Sequence, residues 1–487
     1  MSIKEKLLGL FKPIDLTTGS IYKKIIIFTL PILLSLLFQQ VYTISDAAIV
    51  GHYLSAEEVS GVNVVYSLIF IVLQFAFGCT SGFSVISSNK KGENDLEGIR
   101  KSFACQFLLS LIISIILTII AIACMPYLLN FIGINESGGD YKYAYTYLLI
   151  IYIGLFTQIF YNLMVSVLRS IGDSLAPLLF LIGSTLINIL LDLLFIICFK
   201  WGVAGAAWAT VIAQFISFIG CFIYAYIKYD YLRMKWKDFK LSLKFVGDHL
   251  RSGLPLAFQF SILAIGLIIL QKGMIKFDTV NGVFDCKNGY GAAIKFNDFL
   301  MCPLSSLGTA MLSFSGQNYG ARNEERIRKG IKASVVIMLI SYVILFALAG
   351  LFSINGAFTN LFLSGDNNNE RVKFYASTYV LIDTGLYFIL GFLFIGRNVL
   401  QGLGKPLFPF LAGIGEMVAR ILIVEFIPKL VDPINPTSDN AYIGICFSDP
   451  LAWVFACIFL FIGIYIYIIK GKLFKDFKKD EIEEKMD

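Results

Sequence analysis

The chain has 487 residues, of which 57% are hydrophobic and 15% are charged, and its mean hydropathy is +0.76. A soluble globular protein of this length does not have such a composition, so most of the chain is expected to lie within a membrane. The net charge of +6 comes from basic residues that flank apolar segments, and no nucleic-acid partner is expected.

Twelve apolar segments are long enough to cross a hydrocarbon core that needs about 20 residues of helix. Lipid cannot hydrogen-bond free backbone amides, so nearly all of the backbone must be helical. The eighth segment is interrupted by Lys295, Asn297 and Asp298. In chain order the predicted spans are 22–50, 59–85, 103–128, 143–168, 175–199, 203–228, 253–276, 291–314, 331–353, 374–396, 406–428 and 448–470.

The two halves of the chain repeat one another. Leu168–Pro177 (LRSIGDSLAP) aligns with Leu400–Pro409 (LQGLGKPLFP), and the segment from Lys90 aligns with that from Asn318. Leu30-Pro31 aligns in the same way with Leu254-Pro255. Such repeats are typical of secondary transporters, and halves with an even number of spans are related by an axis along the membrane normal.

The predicted fold is therefore an all-α membrane protein with two six-helix bundles related by pseudo-two-fold symmetry about the membrane normal. The expected N-terminal bundle is 1–228, which includes a short basic N-terminal segment that is expected to form an interfacial helix on the cytoplasmic surface. A cytoplasmic linker over 229–252, a C-terminal bundle over 253–470 and a charged cytoplasmic tail over 471–487 follow. The space between the bundles is the expected place of a substrate cavity.

Most of the 40 Lys and Arg residues fall on one side of these spans. They lie near the N-terminus, in 86–102, around Arg169, in 228–252, in 315–332, at Arg397 and Lys405, and in the tail. Basic loops stay on the cytoplasmic side, so both termini are expected to be cytoplasmic. No cleavable signal peptide is evident, and a multi-pass protein of the plasma (inner) membrane is predicted.

Four polar residues of the first half are expected to share one layer in its outer part. From the helical rise of about 1.5 Å per residue, Asp46 lies about 9 Å, Asp192 about 12 Å and Thr210 about 10 Å below the outer surface. Asn188 is one turn deeper than Asp192 on the same helix face. A carboxylate inside a span is costly, which makes these residues a functional hypothesis.

Two carboxylates close together in a poor dielectric need a proton or a cation between them. Oxygen ligands from Asp, Asn and Thr suit a hard cation, so H⁺ or Na⁺ is the expected coupling ion and no other cofactor or metal is predicted. The alternative is interhelical hydrogen bonding that serves packing, which Asn and Thr often provide. Pro31 is either a hinge that links ion occupancy to helix shape or a static bend, and its repeat mate Pro255 is expected to begin the seventh span.

The second half has a different set of charges. The repeat places Arg420 over Asn188 and Glu416 over Ser184, and Asp383 comes to about the depth of Arg420. These residues form either a buried, self-neutralising network or a surface that receives a cationic substrate. Lys295 and Asp298 are candidates to join them. The candidate substrate-binding residues are Asp383, Glu416, Arg420 and Gln259.

An enzymatic function is not supported. The two histidines, His52 and His249, have no partner at catalytic or metal-binding spacing, and no P-loop is present. The glycine pair at Gly289 and Gly291 follows no strand, so it predicts no nucleotide site.

Several motifs together resemble the multidrug and toxic compound extrusion (MATE) family over essentially the whole chain. The end of the first span reads SDAAIVGHYLSAEEVSGVN, with Asp46, Val50-Gly51 and Leu54. The loop after the eighth span reads GQNYGA, and the loop after the fourth reads LRSIGDSLAP. NILLDLLF on the fifth span, with Asn188 and Asp192, is similar to the DinF-like branch, and E-x-x-x-R on the eleventh fits bacterial members.

This resemblance implies twelve helices in two bundles and export of organic cations or lipophilic drugs in exchange for H⁺ or Na⁺, with Asp46, Asn188, Asp192 and Thr210 as ion-site residues. A monomer in membrane lipid is expected. One rival function is a lipid-linked precursor flippase of the same superfamily, which the few intramembrane cations argue against. Another is a passive channel or scaffold, which leaves the paired carboxylates unexplained.

Overall fold

A computed structural model describes residues 12–132, 134, 138–278, 284–363 and 368–475. Within these ranges every regular element is a helix and no strand occurs. The predicted interfacial helix at the N-terminus begins in residues that lie outside the described ranges, and residues 12–20 are not helical. Most of the predicted charged tail also lies outside them.

The described residues of the first half form seven α-helices, and the first three are each long enough to cross a membrane alone. The helix α6 continues into one π-helical turn, Leu194–Cys198. The bounds are α1 Ile21–Tyr53, α2 Ala56–Gly92, α3 Leu96–Phe131, α4 Tyr141–Ile153, α5 Leu155–Ser170, α6 Leu175–Leu193 and α7 Val203–Lys228.

From Leu243 to Ile464 the described residues form eight α-helices, among which the interrupted eighth span is a single unbroken helix, α9. The bounds are α8 Leu243–Ile275, α9 Asp285–Gly320, α10 Glu324–Ser353, α11 Glu370–Gly385, α12 Tyr387–Gly402, α13 Leu407–Val431, α14 Asp439–Cys446 and α15 Ser448–Ile464. Of the described residues, ten helical segments have the length and composition to cross a membrane, and two bent helix pairs raise the number to twelve. The predicted helical fold is thus confirmed.

The start of the seventh span differs from the prediction. Pro255 does not begin this helix, because α8 begins at Leu243, where Ser242 Oγ accepts a hydrogen bond from the Phe245 amide at 3.2 Å. A proline inside a membrane helix is tolerated where neighbouring groups satisfy the backbone carbonyl that it frees. The polar first turns of α8 had been assigned to the linker. Pro31 likewise lies within the continuous helix α1.

Both bent pairs break at matching positions of the repeat. The α4–α5 pair bends by 46° at Gly154, and the α11–α12 pair bends by 53° at Leu386, which the repeat alignment places over Gly154. A break leaves carbonyl groups without a helical partner. In each copy a side chain of the preceding long helix donates to one of them: Thr118 Oγ1 to Tyr152 O at 3.1 Å, and Tyr342 OH to Gly385 O at 2.8 Å.

The chain divides into two compact units. The first contains Ile26–Ser261 and the short segment Gly316–Ala321, which is the GQNYGA motif. The second contains Ile262–Ser315 and the described residues from Arg322 onward. Residues 12–19 belong to the first unit and 20–25 to the second.

Within the first unit the GQNYGA motif holds the extended segment before α1. Gln317 Oε1 accepts a hydrogen bond from the Leu16 amide at 3.2 Å, and Gln317 Nε2 donates to Ser170 O at 2.9 Å. Asn318 Nδ2 donates to Leu16 O at 3.1 Å, and Leu16 is fully buried. The two sequence motifs, GQNYGA and LRSIGD, therefore meet around the same short segment.

Gly92 and Gly320 occupy matching positions of the repeat and allow the end of α2 and the end of α9 to pack backbone against backbone. A Cβ added at Gly92 would lie 1.9 Å from Gln317 O, and one added at Gly320 would lie 1.9 Å from Asn89 O. Both contacts are with backbone oxygens, which cannot move away as a flexible side chain could. Glycine is required at both positions for steric reasons.

We expect Gly92→Ala to destabilise the protein by about 1–3 kcal/mol, because the new methyl group overpacks this contact. The matched control is Gly183→Ala in α6, where a Cβ meets nothing within 4 Å. The control should be neutral or stabilising by up to about 1 kcal/mol, because alanine is the better helix former. Unfolding by SDS in mixed micelles measures both, and equal effects would contradict the close-packing assignment.

A buried ion pair fixes the segment between the two halves. Arg100 Nε donates to Asp238 Oδ2 at 2.8 Å, and the Lys235 amide donates to the same oxygen at 2.7 Å. Burial by itself raises the pKa of Asp238, but these two hydrogen bonds more than offset it, so the pKa lies below its ordinary value. The carboxylate therefore stabilises the folded state when it is ionised.

A lowered folded-state pKa gives stability that is present at neutral pH and is lost as pH falls through the acid range below about 4. We expect Asp238→Asn to cost about 1–3 kcal/mol at pH 7, and the difference from wild type to vanish as the medium is acidified. Unfolding curves recorded between neutral and acid pH test this. Asp230→Asn is the control, since Asp230 is largely exposed in its pair with Arg233 and should change stability little.

Candidate functional site

The two aspartates predicted in the first half meet within the first unit. Asp46 on α1 and Asp192 on α6 bring their carboxyl groups within hydrogen-bonding reach of each other. Asp192 is fully buried and Asp46 is half-buried. Asp46 Oδ1 is buried and accepts no hydrogen bond from the described residues.

Hydroxyl groups surround this carboxyl pair. Tyr42 OH and Thr210 Oγ1 are 3.4 Å apart, which links α1 to α7 beside the carboxyls. Tyr42 and Tyr147 both lie close enough to interact electrostatically with Asp46 and with Asp192. The structure thus brings together Asp46, Asp192 and Thr210, three of the four residues predicted as an ion site.

The fourth predicted residue, Asn188, lies one turn before Asp192 on α6 and is buried. Directly after Asp192 the helix widens into the π-helical turn Leu194–Cys198, which changes the direction of the following side chains. Such turns are frequent at functional sites. Sequence reasoning had not placed Tyr42 and Tyr147 at this site, although Tyr42 lies one turn before Asp46 and so on the same face of α1.

Two carboxyl groups in contact and away from water repel each other unless a proton or a cation lies between them. Carboxylate, amide and hydroxyl oxygens are suitable ligands for a hard monovalent cation, and the same oxygens can share a proton. No group of three or more His, Cys, Asp or Glu side chains that could hold a metal ion occurs within the described ranges. The chemistry available here is capture of a small cation or a proton.

The second unit contains a buried network with two arginines and two acids. Arg420 contacts Asp449 at 2.5 Å and Glu416 at 3.2 Å, and Arg397 contacts Glu416 at 2.8 Å. Tyr379 OH donates to Asp449 Oδ2 at 2.6 Å. These four charges balance one another, as the self-neutralising alternative predicts.

Asp383 adds a further carboxyl to this network. Asn297 Nδ2 donates to Asp383 Oδ2 at 2.7 Å, and Asp383 interacts electrostatically with Arg420 and Asp449. Asp383 Oδ1 and Asn297 Oδ1 are both buried and accept no hydrogen bond within the described part of the chain. Asp383 is thus a third acid beside the two arginines of the network.

The remaining sequence candidates differ from one another in exposure and in surroundings. Lys295 is exposed, whereas Asp298 is half-buried and lies near Tyr387. Gln259 is fully buried and belongs to the first unit.

Two members of the network were missed or misplaced by the sequence analysis. Arg397 had been counted with the cytoplasmic loops, which is wrong, because it is buried within α12. Asp449 was missed because it lies in the first turn of α15, close to a predicted span end. The only feature of the sequence that could have indicated Asp449 as a site residue was its position as an acid at the start of an apolar segment.

Gly266 makes room for the Arg420 side chain. A Cβ added there would lie 2.8 Å from Arg420 Nη1, so the guanidinium packs directly on the α8 backbone. The network is therefore fixed by packing as well as by charge.

Removing one partner of a buried pair leaves an uncompensated charge, so we expect Arg420→Met to destabilise the protein by about 3–5 kcal/mol. Arg420→Met combined with Asp449→Leu should recover most of that loss. Arg371→Met is the control, because its pair with Asp439 is about half exposed and is worth about 0–1 kcal/mol. SDS unfolding of the single and double variants gives the coupling energy, and additive losses would contradict the pairing.

Comparisons with known proteins agree with this architecture. The sequence profile of the family described as MatE matches residues 31–194 and 288–424. The probable multidrug resistance protein YpnP of Bacillus subtilis (strain 168) is 30% identical over 322 residues, covering 65% of this chain and 69% of its own length. The probable multidrug resistance protein YoeA of the same strain is 24% identical over 457 residues, covering 93% and 95%.

Solved structures share the fold. An outward-facing multidrug resistance MATE family transporter of the MOP superfamily matches with a TM-score of 0.83 and 21% identity, over 95% of this chain and 99% of its own. A MOP superfamily transporter from Pyrococcus furiosus matches with a TM-score of 0.82, also at 21% identity. The profile covers more than half of the chain, so this protein is a multi-pass membrane transporter, not an enzyme, and belongs to the multidrug and toxic compound extrusion (MATE) family.

Proposed function

We propose that the protein is a secondary active exporter that exchanges organic cations or lipophilic drugs for H⁺ or Na⁺. The observation on which this rests is the contact between the Asp46 and Asp192 carboxyls, with Tyr42 and Thr210 beside them. The relatives YpnP and YoeA, described as probable multidrug resistance proteins, support drugs as the substrate class.

The carboxyl pair gives a physical basis for coupling. When no cation is bound, repulsion between Asp46 and Asp192 favours separation of α1 and α6. A proton or Na⁺ removes that repulsion and draws the two helices together, so ion occupancy changes helix positions. Coupling is reciprocal: if ion loading weakens substrate binding, substrate binding weakens ion binding by the same factor.

The direction of transport follows from the gradients. The ion enters from outside, its binding favours release of the substrate to the outside, and its release to the cytoplasm readies the protein for the next substrate. The expected setting is the plasma membrane, with both termini cytoplasmic because most basic segments lie on that side. A monomer is sufficient for this cycle, since all the named residues come from one chain.

The test uses purified protein in liposomes with ethidium, with a pH gradient and a Na⁺ gradient imposed separately. We expect uphill dye movement with one gradient and its loss, by at least about tenfold, in Asp192→Asn or Asp46→Asn, because the remaining carboxyl no longer needs a counter-ion. Asp230→Asn, an exposed acid outside the site, is the control and should transport normally.

Wild-type transport rates in Asp192→Asn would show that the carboxyl pair is not the coupling site. If wild-type protein responds to neither gradient although it is folded, antiport itself is wrong. Binding of a polyprenyl pyrophosphate would then favour the rival function, a flippase for lipid-linked precursors.

A further inference from the structure

A cavity of about 530 Å³ lies within the second unit, at the end of the last described helix that is long and apolar enough to cross a membrane. The helix α15 continues there into one π-helical turn, Tyr465–Ile469. The cavity is lined by Ile466 from this turn and by Lys470, Lys472 and Lys475, which follow it directly. Three of the four lining residues are therefore cations, and none is an acid.

The three lysines of this cavity have no acidic partner among the described residues. Lys470, Lys472 and Lys475 are all exposed, and no described acid lies within ion-pair distance of any of them. Elsewhere, exposed lysines near helix ends do pair with acids, as Lys329 does with Glu325 at 2.6 Å. Three ammonium groups around one cavity repel each other unless an anion lies between them. The cavity is therefore suited to an anionic ligand.

The backbone that carries these lysines is anchored to the rest of the unit. Gly471 has a φ of +66°, which turns the chain where the helix ends. Leu473 and Phe474 are buried, and the guanidinium of Arg328 lies over the ring of Phe474, 5.5 Å from its centroid. The positions of the lysines are thus set by packing of the residues between them.

The corresponding end of the first half contains its own counter-charge. There Lys228, the last residue of α7, donates to Asp173 Oδ2 at 3.3 Å, and Tyr224 and Tyr229 donate to the same oxygen at 2.9 and 2.6 Å. The repeat alignment places Lys405 over Asp173. The second half therefore has a base at the position where the first half has the acid that neutralises this end of its last helix.

The cavity adjoins an apolar face of α15 that is open to lipid. Ile458, Ile462, Tyr465 and Ile469 follow one another at helical spacing, and each is between 44% and 60% exposed. The Lys470 ammonium lies over the ring of Tyr465, 5.1 Å from its centroid, so the lysines begin where this face ends. An apolar helix face that leads to basic groups at the end of a span matches the two parts of a phospholipid, its acyl chains and its phosphate.

We propose that the cavity at Lys470, Lys472 and Lys475 binds the headgroup of an anionic phospholipid, whose acyl chains lie along the exposed face of α15. Lysine ammonium groups bind phosphate as point charges, so they need no fixed orientation of the headgroup. The occupant is a lipid rather than free phosphate, because the site adjoins this face at the end of a span. That end lies at headgroup depth in either orientation of the chain, so the site depends neither on antiport nor on the topology proposed above.

The experiment is native mass spectrometry of the purified full-length protein in detergent, which counts bound lipids. Titration with phosphatidylglycerol, and with phosphatidylcholine of the same acyl chains, gives a dissociation constant for each. We expect wild-type protein to bind one phosphatidylglycerol about tenfold or more tightly than phosphatidylcholine, whose phosphate already has its own cation. Replacing all three lysines by glutamine should weaken that binding by about tenfold or more, because each basic residue contributes roughly fivefold.

The matched control replaces three lysines that already have acidic partners, and so changes the net charge equally. Lys90, Lys101 and Lys329 pair with acids at 2.7, 3.3 and 2.6 Å, and their joint replacement by glutamine should leave phosphatidylglycerol binding within about twofold of wild type. Replacing the three cavity lysines by arginine should also preserve binding, because the charges remain. Equal losses in the two glutamine variants would mean that net charge alone attracts the lipid, and would overturn the site.

Two further outcomes would contradict the proposal with wild-type protein alone. Displacement of the lipid by inorganic phosphate, but not by chloride at the same ionic strength, would identify free phosphate as the ligand. Equal binding of phosphatidylglycerol and phosphatidylcholine would show that another group, such as the acids that follow Lys475 in the sequence, already neutralises the lysines.

Discussion

The cost of an uncompensated charge in a low-dielectric interior governs this structure. In the second unit the cost is met within the chain, since Arg420, Asp449, Glu416 and Arg397 neutralise one another over contacts of 2.5–3.2 Å. In the first unit it is not, because Asp46 and Asp192 bring two acids together. Two carboxyl groups in contact need a proton or a cation between them, and this requirement is the basis of the proposed ion site.

Backbone polar groups that lie away from water also need partners, as the charged side chains do. Where α4 and α11 break, Thr118 and Tyr342 bond the carbonyls that the break leaves open. Each unit can therefore contain a bent helix without exposing unsatisfied groups to lipid. The close contact at Gly92 and Gly320 has a different cause, because there two backbones approach until only hydrogen atoms fit between them.

The internal repeat places similar helices in both halves of the chain, but the polar residues at matching positions differ. The position of Asn188 in the first copy corresponds to Arg420 in the second, and Arg169 corresponds to Gln401. A neutral amide beside a carboxyl pair leaves room for an exchangeable ion, whereas an arginine in that place holds its acids permanently. The two units thus differ in charge at matching positions, and this difference is part of the basis for the proposed exchange of an ion for a substrate.

The sequence by itself determined the helical class and the repeat, because apolar length and internal similarity are one-dimensional signals. It also singled out Asp46, Asn188, Asp192 and Thr210, because acids inside a span are rare, and their role as an ion site stays a prediction. It could not assign Asp449 or Arg397, which lie near predicted span ends and look like ordinary surface charges there.

Only the tertiary structure decided which charges touch. The partner of Arg420, Asp449, lies on another helix, α15. The sequence also did not predict the start of α8 at Leu243. The first turns of this helix are polar, and a polar segment between two apolar spans is interpreted as a linker until its packing is known. Helix formation is set by the local chain, whereas charge compensation is set by distances between helices, and no sequence pattern states those distances.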